Sequence, residues 1–84
     1  MLIFDQFPST ASANRFAMTA QRMEREATVC HSQEESNAID VFPFVLCPPI
    51  VVVERYYPLT DESVSEEKVL ATVAERCGGT FAGT

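Results

Sequence analysis

Pro48-Pro49-Ile50-Val51-Val52-Val53-Glu54-Arg55-Tyr56-Tyr57 sets four consecutive β-branched residues between a proline pair and Pro58. Such side chains are stiff at χ1 and suit a pleated surface. A run this apolar, with no alternation, predicts a strand over Ile50 to Tyr57 that is covered on both faces and lies inside a sheet. Working outward, Met1 to Phe7 holds a second contiguous apolar core, Leu2-Ile3-Phe4, and stops at Pro8. It reads as another central strand.

The stretches between are of different character. Ser9 or Thr10 can cap a helix, and Ala13, Phe16, Ala17, Ala20 and Met23 recur at three- and four-residue spacing, predicting a helix from Thr10 to Glu24 with one apolar stripe. Ala27 to Ser32 reads as a strand of mixed polarity, which suits an edge. Pro58 to Glu62 reads as a turn. Ser63-Val64-Ser65-Glu66 then has the spacing of a capping box, with Thr60 as a competing cap. The helix that follows reaches Cys77 and places Val69, Leu70, Val73, Ala74 and Cys77 on its buried side. Gly78 stands where a left-handed residue closes a helix, and Thr80 to Thr84 is long enough for a short last strand.

The order is strand, helix, strand, strand, helix, strand. It predicts a single α+β domain over residues 1–84, a ferredoxin-like βαββαβ unit with two helices on one face of a mostly antiparallel sheet. Residues 33–49 form a long connection between strands 2 and 3: a polar turn region (Glu34, Glu35, Ser36, Asn37, Asp40), then an apolar run broken by Pro43. Two helices cover one side of the sheet only, yet both central strands are apolar on both sides. A large apolar patch is rare on a soluble monomer. The second face is therefore covered either by residues 41–47 or by a second copy of the chain in a homodimer.

Twelve Asp and Glu stand against six Lys and Arg, a formal net charge of −6. That balance opposes direct nucleic-acid binding, which needs clustered cations to displace counterions, and it opposes an anionic membrane surface. It is compatible with a protein partner that has a basic surface. Three cysteines, Cys30, Cys47 and Cys77, with no paired spacing, read as free thiols of a reducing, cytoplasmic setting. The longest uncharged run, Val41 to Val53, is shorter than the ~20 residues a spanning helix needs and contains three prolines.

No cofactor or metal motif emerges. The three cysteines and His31 could supply a zinc site by number alone, but none sits at knuckle spacing, and Glu34, Glu35 and Asp40 lack the glycine of a calcium loop. His31, the only histidine, neighbours Cys30, but adjacent strand residues face opposite ways and so make no nucleophile–base pair. Tyr56 shares a face with Glu54, and Tyr57 with Arg55, and Tyr and Arg are frequent interface anchors. No glycine-rich phosphate loop follows the first strand.

Phe42-Pro43-Phe44-Val45-Leu46-Cys47-Pro48-Pro49-Ile50-Val51-Val52-Val53-Glu54-Arg55, with the closing Gly78-Gly79-Thr80-Phe81-Ala82-Gly83-Thr84, resembles small uncharacterised proteins encoded by bacteriophages. The resemblance covers the second half of the chain and brings no site residues with it. It implies an accessory protein, a class that includes inhibitors of host defence systems. The expectation is a non-enzymatic interaction module whose binding residues are Glu34, Glu35, Asp40, Phe42, Phe44, Tyr56, Tyr57, Asp61 and Glu62. The alternatives are a small dimeric barrel enzyme, with His31 as acid–base group and Arg55 or Tyr56 orienting substrate, and a structural, oligomer-forming protein.

Overall fold

Ile50–Val53 runs through the interior of a four-stranded antiparallel sheet, with all four side chains buried. The computed structural model describes residues 1–39, 45–55 and 59–84. The elements are β1 (Leu2–Asp5), α1 (Thr10–Arg22), β2 (Ala27–Cys30), α2 (Gln33–Ile39), β3 (Ile50–Val53), α3 (Asp61–Arg76) and β4 (Thr80–Gly83). The strand order is β2-β3-β1-β4 and every neighbouring pair is antiparallel. β1 and β3, the two most apolar strands, are the inner pair, in register Leu2 with Val53 and Phe4 with Val51. The chain is thus an α+β domain, as its sequence predicts.

One face of the sheet is closed by helices. Leu2, Phe4, Val51 and Val53 meet Ala13, Phe16, Ala17 and Ala20 of α1 and Leu70 and Ala74 of α3. The alanines let α1 lie close to β2 and β3, and Phe16 fills the space between layers. Its ring centroid is 4.6 Å from that of Phe4, edge to face, and 5.5 Å from that of Phe7. Burying a Phe or Leu side chain is worth roughly 1.5–3 kcal/mol, so this layer supplies most of the fold's driving force.

The helix ends explain where elements stop. Ser9 accepts the Ser12 N–H at 3.1 Å and starts α1. α1 closes at Arg22, earlier than its periodicity suggests, because Glu24 turns left-handed (φ +61°). Its N–H then reaches the Gln21 carbonyl while Arg25 N–H reaches that of Ala20. α3 closes in the same way at Gly78 (φ +83°), with Gly78 N–H on Glu75 and Gly79 N–H on Ala74. At its start, Thr60 and not Ser63 is the cap. Thr60 Oγ1 accepts the Ser63 N–H at 3.1 Å, and Ser63 Oγ accepts the Thr60 N–H at 2.9 Å. A serine at the third helical position replaces the glutamate of the usual box, and the hydroxyl cap nearest the turn wins.

Other expectations change. Residues 33–39 are helical rather than a turn, so the described residues contain three helices, not two. Ser32 starts α2, its hydroxyl accepting the Glu35 N–H at 3.2 Å. β1 ends at Asp5 because Gln6 adopts φ +61° and leaves the ladder. β2 ends at Cys30, not Ser32, and β3 is Ile50–Val53. Val69 is half exposed rather than buried, since α3 turns Leu70 and Ala74 inward.

The second face of the sheet presents Ile3, Cys30, Ile50 and Val52, all buried within a single chain. Leu46 packs onto them, with Met1 and Ala82 at the margins. Hydrogen bonds fix this cover in place. Asp5 Oδ2 accepts the Cys47 N–H at 2.9 Å, the Cys47 carbonyl accepts the Gln6 N–H at 2.9 Å, and Gln33 Oε1 accepts the Leu46 N–H at 2.7 Å. The last bond joins α2, which lies against β2 and β3, to residues 45–47.

Candidate functional site

Among the described residues, the acidic starts of α2 and α3 and a groove between α3 and β4 bring charged side chains to the surface. α2 begins with Glu34 and Glu35, and α3 with Asp61 and Glu62. Carboxylates there suit the positive end of the helix dipole. Glu35 is committed locally, its Oε2 accepting the His31 backbone N–H at 2.6 Å. Glu34, Asp61 and Glu62 are exposed, and among the described residues none of them forms an ion pair.

Two cations elsewhere are absorbed by the fold. Arg25, between α1 and β2, is 2% exposed. It donates from Nε and Nη2 to Glu66 Oε2 at 3.2 and 2.7 Å, and from Nη1 to the Glu54 carbonyl at 3.3 Å. Arg55, just past β3, lies 2.7 Å from Glu67 Oε1 through its Nε. Thus α3 gives Glu66 and Glu67 to internal pairs and leaves Asp61 and Glu62 facing outward.

The groove holds about 320 Å³ and opens where β1 begins, β3 ends and α3 has completed its first turn. Leu2, Val64, Ala71 and Phe81 form apolar walls, Arg55, Glu67 and Lys68 supply the charge, and Thr84 stands at its end. Val64, Glu67, Lys68 and Ala71 fall on one stripe of α3, at spacings of three and four. Phe81 leans on Phe4, ring centroids 5.3 Å apart, yet remains 43% exposed because β4 is an edge strand.

The structure separates the residues of the enzymatic alternative. His31 is exposed just beyond β2, while Cys30 points into the second-face core. Burial, and secondarily the Glu35 carboxylate, pushes the Cys30 thiol above its ordinary range, which keeps it protonated and unreactive. Arg55 lies in the α3–β4 groove, whereas His31 belongs to the turn before α2. Among the described residues, no three His, Cys, Asp or Glu come together as a metal site would require. No helix there is long and apolar enough to cross a membrane. Of the expected binding residues, Glu34, Glu35, Asp61 and Glu62 sit at helix starts; Asp40, Phe42, Phe44, Tyr56 and Tyr57 lie outside the described residues.

Sequence reasoning missed Arg25, Glu66, Glu67, Lys68 and Phe81. Signals existed for α2, also missed, and for Lys68. Ser32-Gln33-Glu34-Glu35 has capping-box spacing, which marks a helix and gives Glu35 a local task. Val64, Lys68 and Ala71 repeat at helical spacing on the side opposite to the one first read as buried. Comparison with protein-family models, curated proteins and solved structures gives no match to this chain.

Proposed function

We propose that this chain is a non-enzymatic interaction module that presents an acidic surface to a basic protein partner on a ferredoxin-like frame. The frame is supported by connectivity: α1 links β1 to β2 past β3, and α3 links β3 to β4 past β1. α2 and its tethered segment are an addition to that plan on the helix-free side. The functional reading is carried by one observation, the outward carboxylates of Glu34, Asp61 and Glu62, left without ion pairs among the described residues while Arg25 and Arg55 pair with Glu66 and Glu67 of α3. The resemblance to small phage proteins supports the same reading: an accessory protein that occupies a host protein's surface.

The test is capture of partners by the wild-type chain and by a variant carrying Glu34→Gln, Glu35→Gln, Asp61→Asn and Glu62→Gln. Each change removes a helix-start charge worth about 0.3–1 kcal/mol, so the variant is expected to fold, and circular dichroism checks it. A basic partner held at low salt is expected to be lost at high salt and lost with the variant, because exposed charges are screened. A partner kept equally by both proteins at every salt concentration would defeat the proposal.

A further inference from the structure

The outer side of the α1–α3 layer gathers the chain's exposed cations. Of six Lys and Arg, Arg25 and Arg55 pair with Glu66 and Glu67, and residues 40–44 and 56–58 contribute none. The other four, Arg15, Arg22, Lys68 and Arg76, are exposed on α1 and α3. On α1, Ala11, Arg15, Met18 and Arg22 recur at four, three and four residues, opposite the buried stripe Ala13, Phe16, Ala17 and Ala20. This stripe carries two positive charges and no negative one, around a Met18 that is 53% exposed. Glu24, beyond the helix end, is engaged within the chain. On α3 the sign is opposite: exposed Asp61, Glu62 and Glu75 outnumber Lys68 and Arg76 by one, around a Val69 that is 50% exposed. The carboxylate at Thr84, in the groove on the other flank of α3, adds to that sign. Lys68, Val69, Thr72, Val73 and Arg76 line a shallow depression of about 310 Å³.

The two helices run antiparallel. Pro8, before α1, lies against Gly78, after α3, where a Cβ would sit 2.9 Å from Pro8 Cδ; at the other end Arg25 reaches Glu66. Met18 is ten residues beyond Pro8 and Val69 nine before Gly78, so the two stand level. Arg22 is within one helical turn of the level of Asp61 and Glu62.

We propose that this layer is the contact between two copies of the chain, α1 of each lying over α3 of the other about a two-fold axis parallel to the helices. Such an axis keeps every level unchanged. Met18 therefore enters the depression around Val69 and Arg22 meets Asp61 and Glu62, each contact made twice. Methionine, unbranched and adaptable, suits a shallow hollow of this kind. The other two-fold arrangement, with its axis across the helices, sets α1 on α1 and α3 on α3, like charge against like. The occupant follows from the same charges, because one layer carries both halves of a complementary pair. The contact does not depend on the acidic-surface reading, although it engages Asp61 and Glu62 and leaves Glu34 outward.

The experiment is sedimentation equilibrium of wild type, Met18→Asp, Arg22→Glu, Asp61→Lys and the double variant Arg22→Glu/Asp61→Lys, with circular dichroism to confirm folding. All three positions are exposed. Wild type is expected to form a dimer that weakens as salt rises. Arg22→Glu and Asp61→Lys should each weaken it about tenfold, because an exposed pair is reversed twice, and the double variant should recover most of that loss. Met18→Asp should leave a monomer that keeps Glu34, Asp61 and Glu62 for capture of a basic partner, so the two proposals fail separately. A wild type that stays monomeric at millimolar concentration, leaving the layer to a foreign protein, would overturn the proposal. So would a dimer that survives Met18→Asp, or a double variant no tighter than either single one.

Discussion

The two faces of the sheet use the same two strands and close in different ways. On the helix side, Leu2, Phe4, Val51 and Val53 are covered by two regular helices through a continuous layer of side chains. On the other side, Ile3, Ile50 and Val52 are covered by Leu46 and a short helix held down by directed hydrogen bonds. The helix side draws its stability from area. The second side draws it from a few polar tethers around a small apolar plug, because an irregular segment must satisfy its backbone groups individually. A fold can therefore be robust on one side and locally openable on the other.

The sharpest way to test this contrast is to remove the anchor of the helix side. Phe16→Ala is expected to cost about 3–5 kcal/mol, since Phe16 is fully buried and contacts both Phe4 and Phe7, and chemical denaturation should show it as global unfolding. A cost below that of a surface substitution would mean that the helix layer is not the main core.

Asp5→Ala attacks the second side. It removes the acceptor for the Cys47 amide and should cost about 1.5–3 kcal/mol, the range for a hydrogen bond to a charged group. The signature matters more than the size. Amide exchange at Leu46 and Cys47 should accelerate well beyond that at Ile3 or Val52. Uniform acceleration throughout would show that the two faces open together.

The smallest effect concerns thiols. Cys47, exposed, should react readily with a thiol reagent near neutral pH, whereas Cys30 should react only as the second side opens. Linkage gives the sign. The folded Cys30 thiol lies above the ordinary thiol value of 9.0, so its contribution to stability is complete below that pH and is lost as pH rises towards the raised value. Cys30→Ala should flatten that alkaline loss. Equal reactivity of the two thiols at neutral pH would contradict the burial on which the comparison rests.

The same contrast explains what could be read from the residues alone. Ile50–Val53 and Leu2–Phe4 declared themselves as inner strands because unbroken apolar runs have no other good location, and α1 followed from the spacing of Ala13, Phe16, Ala17 and Ala20. That both faces needed covering was also legible. The identity of the cover was not, because Asp5–Cys47 and Gln33–Leu46 are bonds between residues distant in sequence, with no periodicity to reveal them. Val69 was misassigned because an apolar residue on a helix is read as inward until a neighbouring layer settles the helix's rotation. The acidic residues were found as types, yet which ones face outward depended on Arg25 and Arg55 claiming Glu66 and Glu67.

Arg25 has a wider consequence. Its guanidinium spans 41 residues to Glu66 and 29 to the Glu54 carbonyl, and its side chain is shut away from water. Until the last long helix docks, that charge lacks the carboxylate of Glu66, so the first half of the chain is poorly served by assembling alone. The molecule is expected to behave as one all-or-none unit, and cutting it before α3 should leave a fragment that stays unfolded.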